Sequence, residues 1–158
     1  MMVFTKYFAC FLLCLFSITT TSCARRQQFS PTQTTYVTSD GNTITMRASG
    51  VGASQQDALS DAEMRVFDVI LFRGVPESQH RRPLVSTNES AEMMRNSPYF
   101  ADFYNGKRFK SFIVSSRPVG GFTKLAGRQY QTTAEVRVNL ANLRRDLEQR
   151  DIIRSFGF

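Results

Sequence analysis

Ile44, Met46 and Ala48 alternate with Thr43, Thr45, Arg47 and Ser49. A period of two puts the apolar set on one face, which predicts a strand buried on one side. The strand-like run 34–39 precedes it, and Asp40-Gly41 lies between the two. Asp-Gly in that setting predicts a hairpin. Near the C-terminus, Tyr130, Thr132, Ala134, Val136 and Val138 share one face, with Gln131, Thr133, Glu135 and Arg137 on the other. Residues 109–116 also read as a strand. Gly120-Gly121 and Gly127 make its link to residues 129–139 a long, bent hairpin connection.

The spacing changes after Gly50-Val51-Gly52. Ala58, Leu59, Ala62, Val66, Val69 and Ile70 recur at steps of three and four, which predicts a helix from Ser54 to about Phe72. Ser54 with Asp57 three residues on resembles a capping box, and Gly74 and Pro76 supply the stop. Residues 69–72 are apolar all round, so the last turn is expected to be buried on several sides. A polar loop follows, carrying His80 and Arg81-Arg82. A short helix is expected after Asn88, then an aromatic helical turn over 98–106 ending at Gly106. Leu140, Leu143 and Leu147 mark a closing helix, and the tail 152–158 is apolar enough to dock on the core or add an edge strand. Strand, long helix, irregular segment, two strands and a helix together predict an α+β fold: an antiparallel sheet with one long helix packed on a face and a short C-terminal helix.

The first residues address a different question. One positive charge in residues 1–6 precedes the uncharged apolar run 7–18 and then Thr19-Thr20-Thr21-Ser22-Cys23. That order is the pattern of a secretory signal, and the run is shorter than the roughly 20 residues a spanning helix needs. Thr20-Thr21-Ser22-Cys23 resembles the lipobox of bacterial lipoproteins. Ser22 is the small residue before the cut, and Thr20 stands where Leu or Val is usual. The resemblance implies a diacylglycerol on the Cys23 sulfur, cleavage just before it, and acylation of the new amine. Cleavage after Ala24, with Ser22-Cys23-Ala24 as a small-x-small site, is the competing reading. Two or three acyl chains on one residue would anchor the chain stably, since each buried methylene contributes about 0.8 kcal/mol and a single chain is marginal. On this reading residues 1–22 are a removed signal peptide, 23–35 a lipidated N-terminus and flexible tether, and 36–158 a single α+β domain. A tether of about 12 residues reaches roughly 20 Å. Ala24 is not the Asp that retains many enterobacterial lipoproteins in the inner membrane, and no acidic cluster follows it. The resemblance therefore implies the outer membrane, periplasmic face. Cys10 and Cys14 leave with the signal, so no intramolecular disulfide is expected.

Composition narrows the chemistry. Of 158 residues, 20 are Lys or Arg and 13 Asp or Glu, giving a net charge of +7. One His and three Cys make a zinc site or a His-centred catalytic site hard to build. Gly50-Val51-Gly52 sits where phosphate-binding turns sit, yet Gln55 stands in place of the third glycine. Those glycines read as tight-turn and close-packing residues. His80 reads as a solvated loop residue. The basic clusters Arg81-Arg82, Lys107-Arg108-Lys110 and Arg144-Arg145 read as solvated surface or as a contact for anionic headgroups, cell-wall polymer or an acidic protein. The aromatic run reads as a core plug or as a partner patch. The expected partner face is Tyr99, Phe100, Phe103, Tyr104, Lys107 and Arg108, with Arg81 and Arg82. Export argues against nucleic acid, and no metal or cofactor is expected.

Met46-Arg47-Ala48-Ser49-Gly50-Val51-Gly52-Ala53-Ser54, followed by Ala58 and Ala62 on the long helix, is similar to the N-terminal strand–Gly-x-Gly–helix of the flagellar assembly protein T family and related small envelope lipoproteins. The similarity implies a compact α+β module without a catalytic site. The expected protein is an outer-membrane lipoprotein facing the periplasm, a non-enzymatic binding or assembly module of an envelope complex such as a secretion or cell-wall machine. The alternative is a periplasmic enzyme or cell-wall-binding protein, which a cleft shared by Glu89, Glu92, Asp102 and His80 would favour.

Radiolabelled palmitate is expected to enter the wild-type chain and to be absent from a Cys23→Ser variant. Equal labelling of the two, or none in the wild type, would remove the anchor.

Overall fold

The computed structural model describes residues 34–154. Cys23, the tether up to residue 33 and the end of the tail from residue 155 lie outside the described residues. Strands β1 (Thr34–Ser39) and β2 (Thr43–Gly52) form the first hairpin. Helix α1 (Gln55–Asp68) continues directly into a wider π turn, Val69–Arg73. Two short helices, α2 (Glu89–Arg95) and α3 (Ser97–Tyr104), precede a 3-10 turn over Arg108–Phe112. Strands β3 (Ile113–Lys124) and β4 (Tyr130–Asn139) form the second hairpin, and α4 (Leu140–Gln149) closes the chain. The four strands pair antiparallel in the order β1-β2-β4-β3, with α1 across one face. This is the α+β arrangement that the hydrophobic pattern predicts.

The hairpin tip forms for a reason other than its glycine. Gly41 does not take a left-handed conformation. Asp40 closes the turn instead: its Oδ1 accepts the N–H groups of Asn42 and Thr43 at 2.9 and 2.7 Å, and its Oδ2 accepts the Thr43 hydroxyl at 2.8 Å. Those donors favour the ionised carboxylate and hold Asp40 down to about 2.

Along β2 the inward side chains shrink from Ile44 and Met46 to Ala48 and Gly50, facing Val138, Val136, Ala134 and Thr132 of β4. The taper brings the start of α1 down onto the strand backbone. A Cβ on Gly50 would stand 2.2 Å from the Ala58 carbonyl oxygen and 2.3 Å from the Ala62 nitrogen. One on Gly52 would stand 2.4 Å from the Ala58 nitrogen. Ala58 and Ala62 are fully buried at this seam. Close packing is therefore what both glycines provide. Ser54 caps the helix through the Asp57 N–H at 3.1 Å, and its hydroxyl donates to Asp57 Oδ2 at 2.7 Å. Asp61 ties helix to strand by accepting the Val51 N–H at 2.9 Å. Farther along, Val66 and Phe67 fill the space over Met46 and Ile44, and all four apolar residues of the π turn are buried.

Two expectations need correction. Residues 109–112 are helical, not extended, and turn Phe109 and Phe112 inward. Their i, i+3 spacing suits one face of a tight helix, and in an aromatic-rich stretch it imitates strand composition. The strand itself runs on through Gly120-Gly121, which form a bulge between the Val119–Thr133 and Phe122–Thr132 pairs. These glycines thus belong to β3 and not to the connection. Pro118 is tolerated because β3 is an edge strand. At the C-terminus, Ile152 and Ile153 dock against the core, with the Ile152 N–H on the Leu147 carbonyl at 2.9 Å.

Gly50→Ala is expected to cost about 2–3 kcal/mol in denaturant unfolding, because helix backbone must move to admit the methyl group. Gly41→Ala, where a Cβ meets nothing within 4 Å, is expected to stay within about 0.5 kcal/mol of wild type.

Candidate functional site: an arginine groove

The expected aromatic partner face is mostly interior. Phe100 and Phe103 belong to the core. Phe103 meets Phe67 edge-on at 5.5 Å between ring centres and stacks on Phe112 at 6.1 Å, while Phe100 packs on Phe72 at 5.6 Å. Tyr99 and Tyr104 are half-buried with their hydroxyls committed. The Tyr99 hydroxyl donates to Asp146 Oδ2 at 2.9 Å, and that of Tyr104 to Asp68 Oδ1 at 2.7 Å. Burial pushes both phenols above their ordinary value, and the neighbouring carboxylates add to the effect. Arg108 is bonded to the other oxygen of Asp146, which is itself buried on α4. Tyr99 and Arg108 thus staple α3 and the 3-10 turn to α4, and Tyr104 ties α3 to α1, so their polar groups are committed within the fold. The α3 helix has an apolar core-facing side, so its rings bury there. Of the expected set in residues 99–108, Lys107 alone is exposed, in a left-handed conformation with φ 58°.

Arg81 and Arg82 behave differently. They are exposed on the connection between the π turn and α2, and that connection is firmly fastened. Gly74, at φ 77°, reverses the chain, and a Cβ there would lie 2.2 Å from the Arg81 carbonyl oxygen. The Val75 N–H donates to the His80 carbonyl at 2.8 Å, and the His80 N–H to Ser78 Oγ at 2.9 Å. The end of the α1–π element leaves carbonyls without helical partners. Two of them, on Ile70 and Leu71, accept the N–H groups of Leu84 and Val85 at 3.0 Å each. The loop is thereby pinned along the helix end.

Opposite it stand α4 and the segment after it. Arg144 comes from the exposed side of α4, and Arg154 from the chain just beyond the docked Ile152-Ile153. The result is a groove of about 710 Å³ with four arginines, Arg81, Arg82, Arg144 and Arg154, and no carboxylate among its lining residues. Pro83, Leu84, Val85, Ile152 and Ile153 supply an apolar floor. None of the four guanidiniums has a side-chain ion pair among the described residues, whereas Arg47, Arg117 and Arg137 on the outer sheet face all pair with Glu135 or Asp40. An unpaired cation cluster over an apolar floor can bind an anion, and guanidiniums suit phosphate or carboxylate through paired N–H donors.

His80 also lines this groove, but it is not the solvated loop histidine expected. Its Nε2 is buried without a hydrogen-bond partner among the described residues. Burial and then the charge of Arg144 hold the imidazole below its ordinary range, so it is neutral at neutral pH. The groove's charge therefore comes from arginine. Sequence spacing could not bring Arg81-Arg82 to Arg144 and Arg154. The double-arginine signal was present on both segments, but their juxtaposition depends on the docked tail.

The acids named for a catalytic cleft do not share one. Glu89 lines a cleft of about 840 Å³ with Asp68 and Tyr104, Asp102 lines a third hollow beside Tyr99, and His80 stands in the arginine groove. Glu92 pairs with Arg95 at 3.1 Å. No cluster of three or more His, Cys, Asp or Glu able to hold a metal occurs among the described residues. Asp68 is the one strongly perturbed acid in these clefts, raised to about 6 chiefly by burial.

Asp68 makes a pH prediction. Its folded value lies above the ordinary 3.8, so the unfolded chain loses this proton first as pH rises. Stability is expected to fall between about pH 4 and 6 by at most about 3 kcal/mol, and to level off above that. Asp68→Asn, which keeps an acceptor for Tyr104, is expected to abolish that fall and to be the more stable protein at pH 7. Paired urea melts across the range check both points.

No protein-family model, no curated protein and no solved structure matches this chain.

Proposed function

We propose that the protein is a lipid-anchored, non-enzymatic binding module on the periplasmic face of the outer membrane, serving an envelope assembly such as a secretion or cell-wall machine. Cys23 is its lipidation site and the arginine groove its contact surface. The observation that carries the reading is the convergence of Arg81, Arg82, Arg144 and Arg154 on one groove, without an ion pair or a lining carboxylate among the described residues. On the outer sheet face, by contrast, Arg47 and Arg117 both pair with Glu135. The strand–Gly-x-Gly–helix seam supports a rigid carrier for such a surface, in keeping with the resemblance to small envelope assembly lipoproteins. The ligand is an anionic component of the envelope.

Affinity purification of the membrane-attached chain from its own cells tests this. An Arg81→Glu/Arg82→Glu variant is expected to lose the co-purifying component at least tenfold, and wild-type recovery to fall with added salt. Lys107→Glu, outside the groove, is expected to leave recovery unchanged. Unchanged recovery in the double variant would overturn the groove as the contact surface.

A further inference from the structure

We infer that the arginine groove seats the phosphate headgroup of an anionic phospholipid, with the proximal part of its glycerol and acyl chains lying along the apolar floor. This rests on the anchored-module reading above and specifies the ligand. The groove offers two chemistries side by side. Arg81 and Arg82 come from the pinned loop, and Arg144 and Arg154 from α4 and the segment after it. Leu84 and Ile152 line the same groove. A free inorganic anion would use the first and leave the second wet. A neutral apolar ligand would use the second and leave four guanidiniums unanswered. An anionic amphiphile uses both, and a volume of about 710 Å³ lies within the range of small-ligand sites. Guanidinium rather than ammonium supplies all the positive charge, and its planar fork fits phosphate oxygens in pairs.

Position favours a lipid as the source. A domain tied to a bilayer through Cys23, a few residues ahead of β1, meets headgroups at a high effective concentration. No ligand has to diffuse to it. Seating one headgroup would also fix which side of the domain faces the membrane, leaving the polar outer face of the sheet free to meet a protein.

The test uses the full chain purified in a non-ionic detergent and incubated in mixed micelles with phosphatidylglycerol or phosphatidylcholine. Native mass spectrometry counts the lipids retained. Wild type is expected to retain one phosphatidylglycerol, at least tenfold more often than phosphatidylcholine. Arg81→Glu/Arg82→Glu is expected to cut that retention at least tenfold with an unchanged thermal melting profile. Arg144→Gln provides a second, milder variant expected to reduce it severalfold. Arg128→Glu/Arg145→Glu makes the same change in net charge at residues that do not line the groove, and is expected to retain the lipid as wild type does. Equal retention of the two lipids, or equal loss in the Arg128/Arg145 variant, would overturn the inference. Displacement of phosphatidylglycerol by inorganic phosphate at equal concentration would overturn the lipid assignment in favour of a free phosphate. Absence of lipid retention, with the co-purifying component still lost in the Arg81/Arg82 variant, would sink this inference and leave the binding-module reading standing.

Discussion

The close contact of two backbones, β2 at Gly50 and Gly52 against α1 at Ala58 and Ala62, sets the geometry of everything else. No side chain intervenes there, so the separation of helix and strand is fixed by van der Waals radii and not by the choice of a rotamer. The other end of the helix has no such restriction and stands off by the size of Val66, Phe67 and the four apolar residues of the π turn. At that end the rings of Phe67, Phe103 and Phe109 meet one another.

Rings alone do not say where a helix end must stop. Buried polar contacts do that here. Asp146 takes the Tyr99 hydroxyl on one oxygen and Arg108 on the other, and Asp68 takes the Tyr104 hydroxyl. A partly buried carboxylate with two donors has few alternative arrangements, and losing either donor leaves charge without compensation. These contacts fix α3 and α4 relative to α1. The fastening of the loop onto Ile70 and Leu71 then places Arg81-Arg82 against the α4 side of the molecule. The groove is a consequence of the packing beneath it.

Strict periodicity was the readable part of the sequence. The alternation in residues 43–49 and 130–138 and the three–four spacing from Ala58 to Ile70 produced the sheet and long helix where the pattern put them. Close helix–sheet packing was legible too, because two glycines facing two alanines leave little else for those residues to do. The first hairpin stands where Asp40-Gly41 puts it, and what the pattern leaves open is decided by side-chain contacts, some local and some between distant residues. Asp40 and not Gly41 makes the hairpin tip, since a side chain that accepts three donors removes the need for a left-handed residue. Phe109 and Phe112 look like strand residues until the ring cluster that receives them is known. The aromatic-basic segment looked like a contact surface because composition does not distinguish a ring facing solvent from one facing a core. Nor does it distinguish Arg108, bonded to a buried carboxylate, from Arg81, bonded to none among the described residues.

That last distinction separates the arginines of the groove from those of the outer sheet face. On the outer sheet face, Arg47 and Arg117 both reach Glu135, whose carboxyl is held below its ordinary range by these two bonds, and Arg137 reaches Asp40. Charge there is balanced locally, which suits a surface exposed to salt and water. In the groove, four exposed like charges line one concavity together with apolar residues, and like charges held close disfavour one another. Burial first, and the charge of Arg144 second, hold the His80 imidazole below its ordinary range, and it answers by releasing its proton. Arginine cannot relieve the repulsion that way. The fold holds the four together with the hydrogen bonds of a pinned loop and a docked tail, and an anion entering between them removes the repulsion that the free groove sustains.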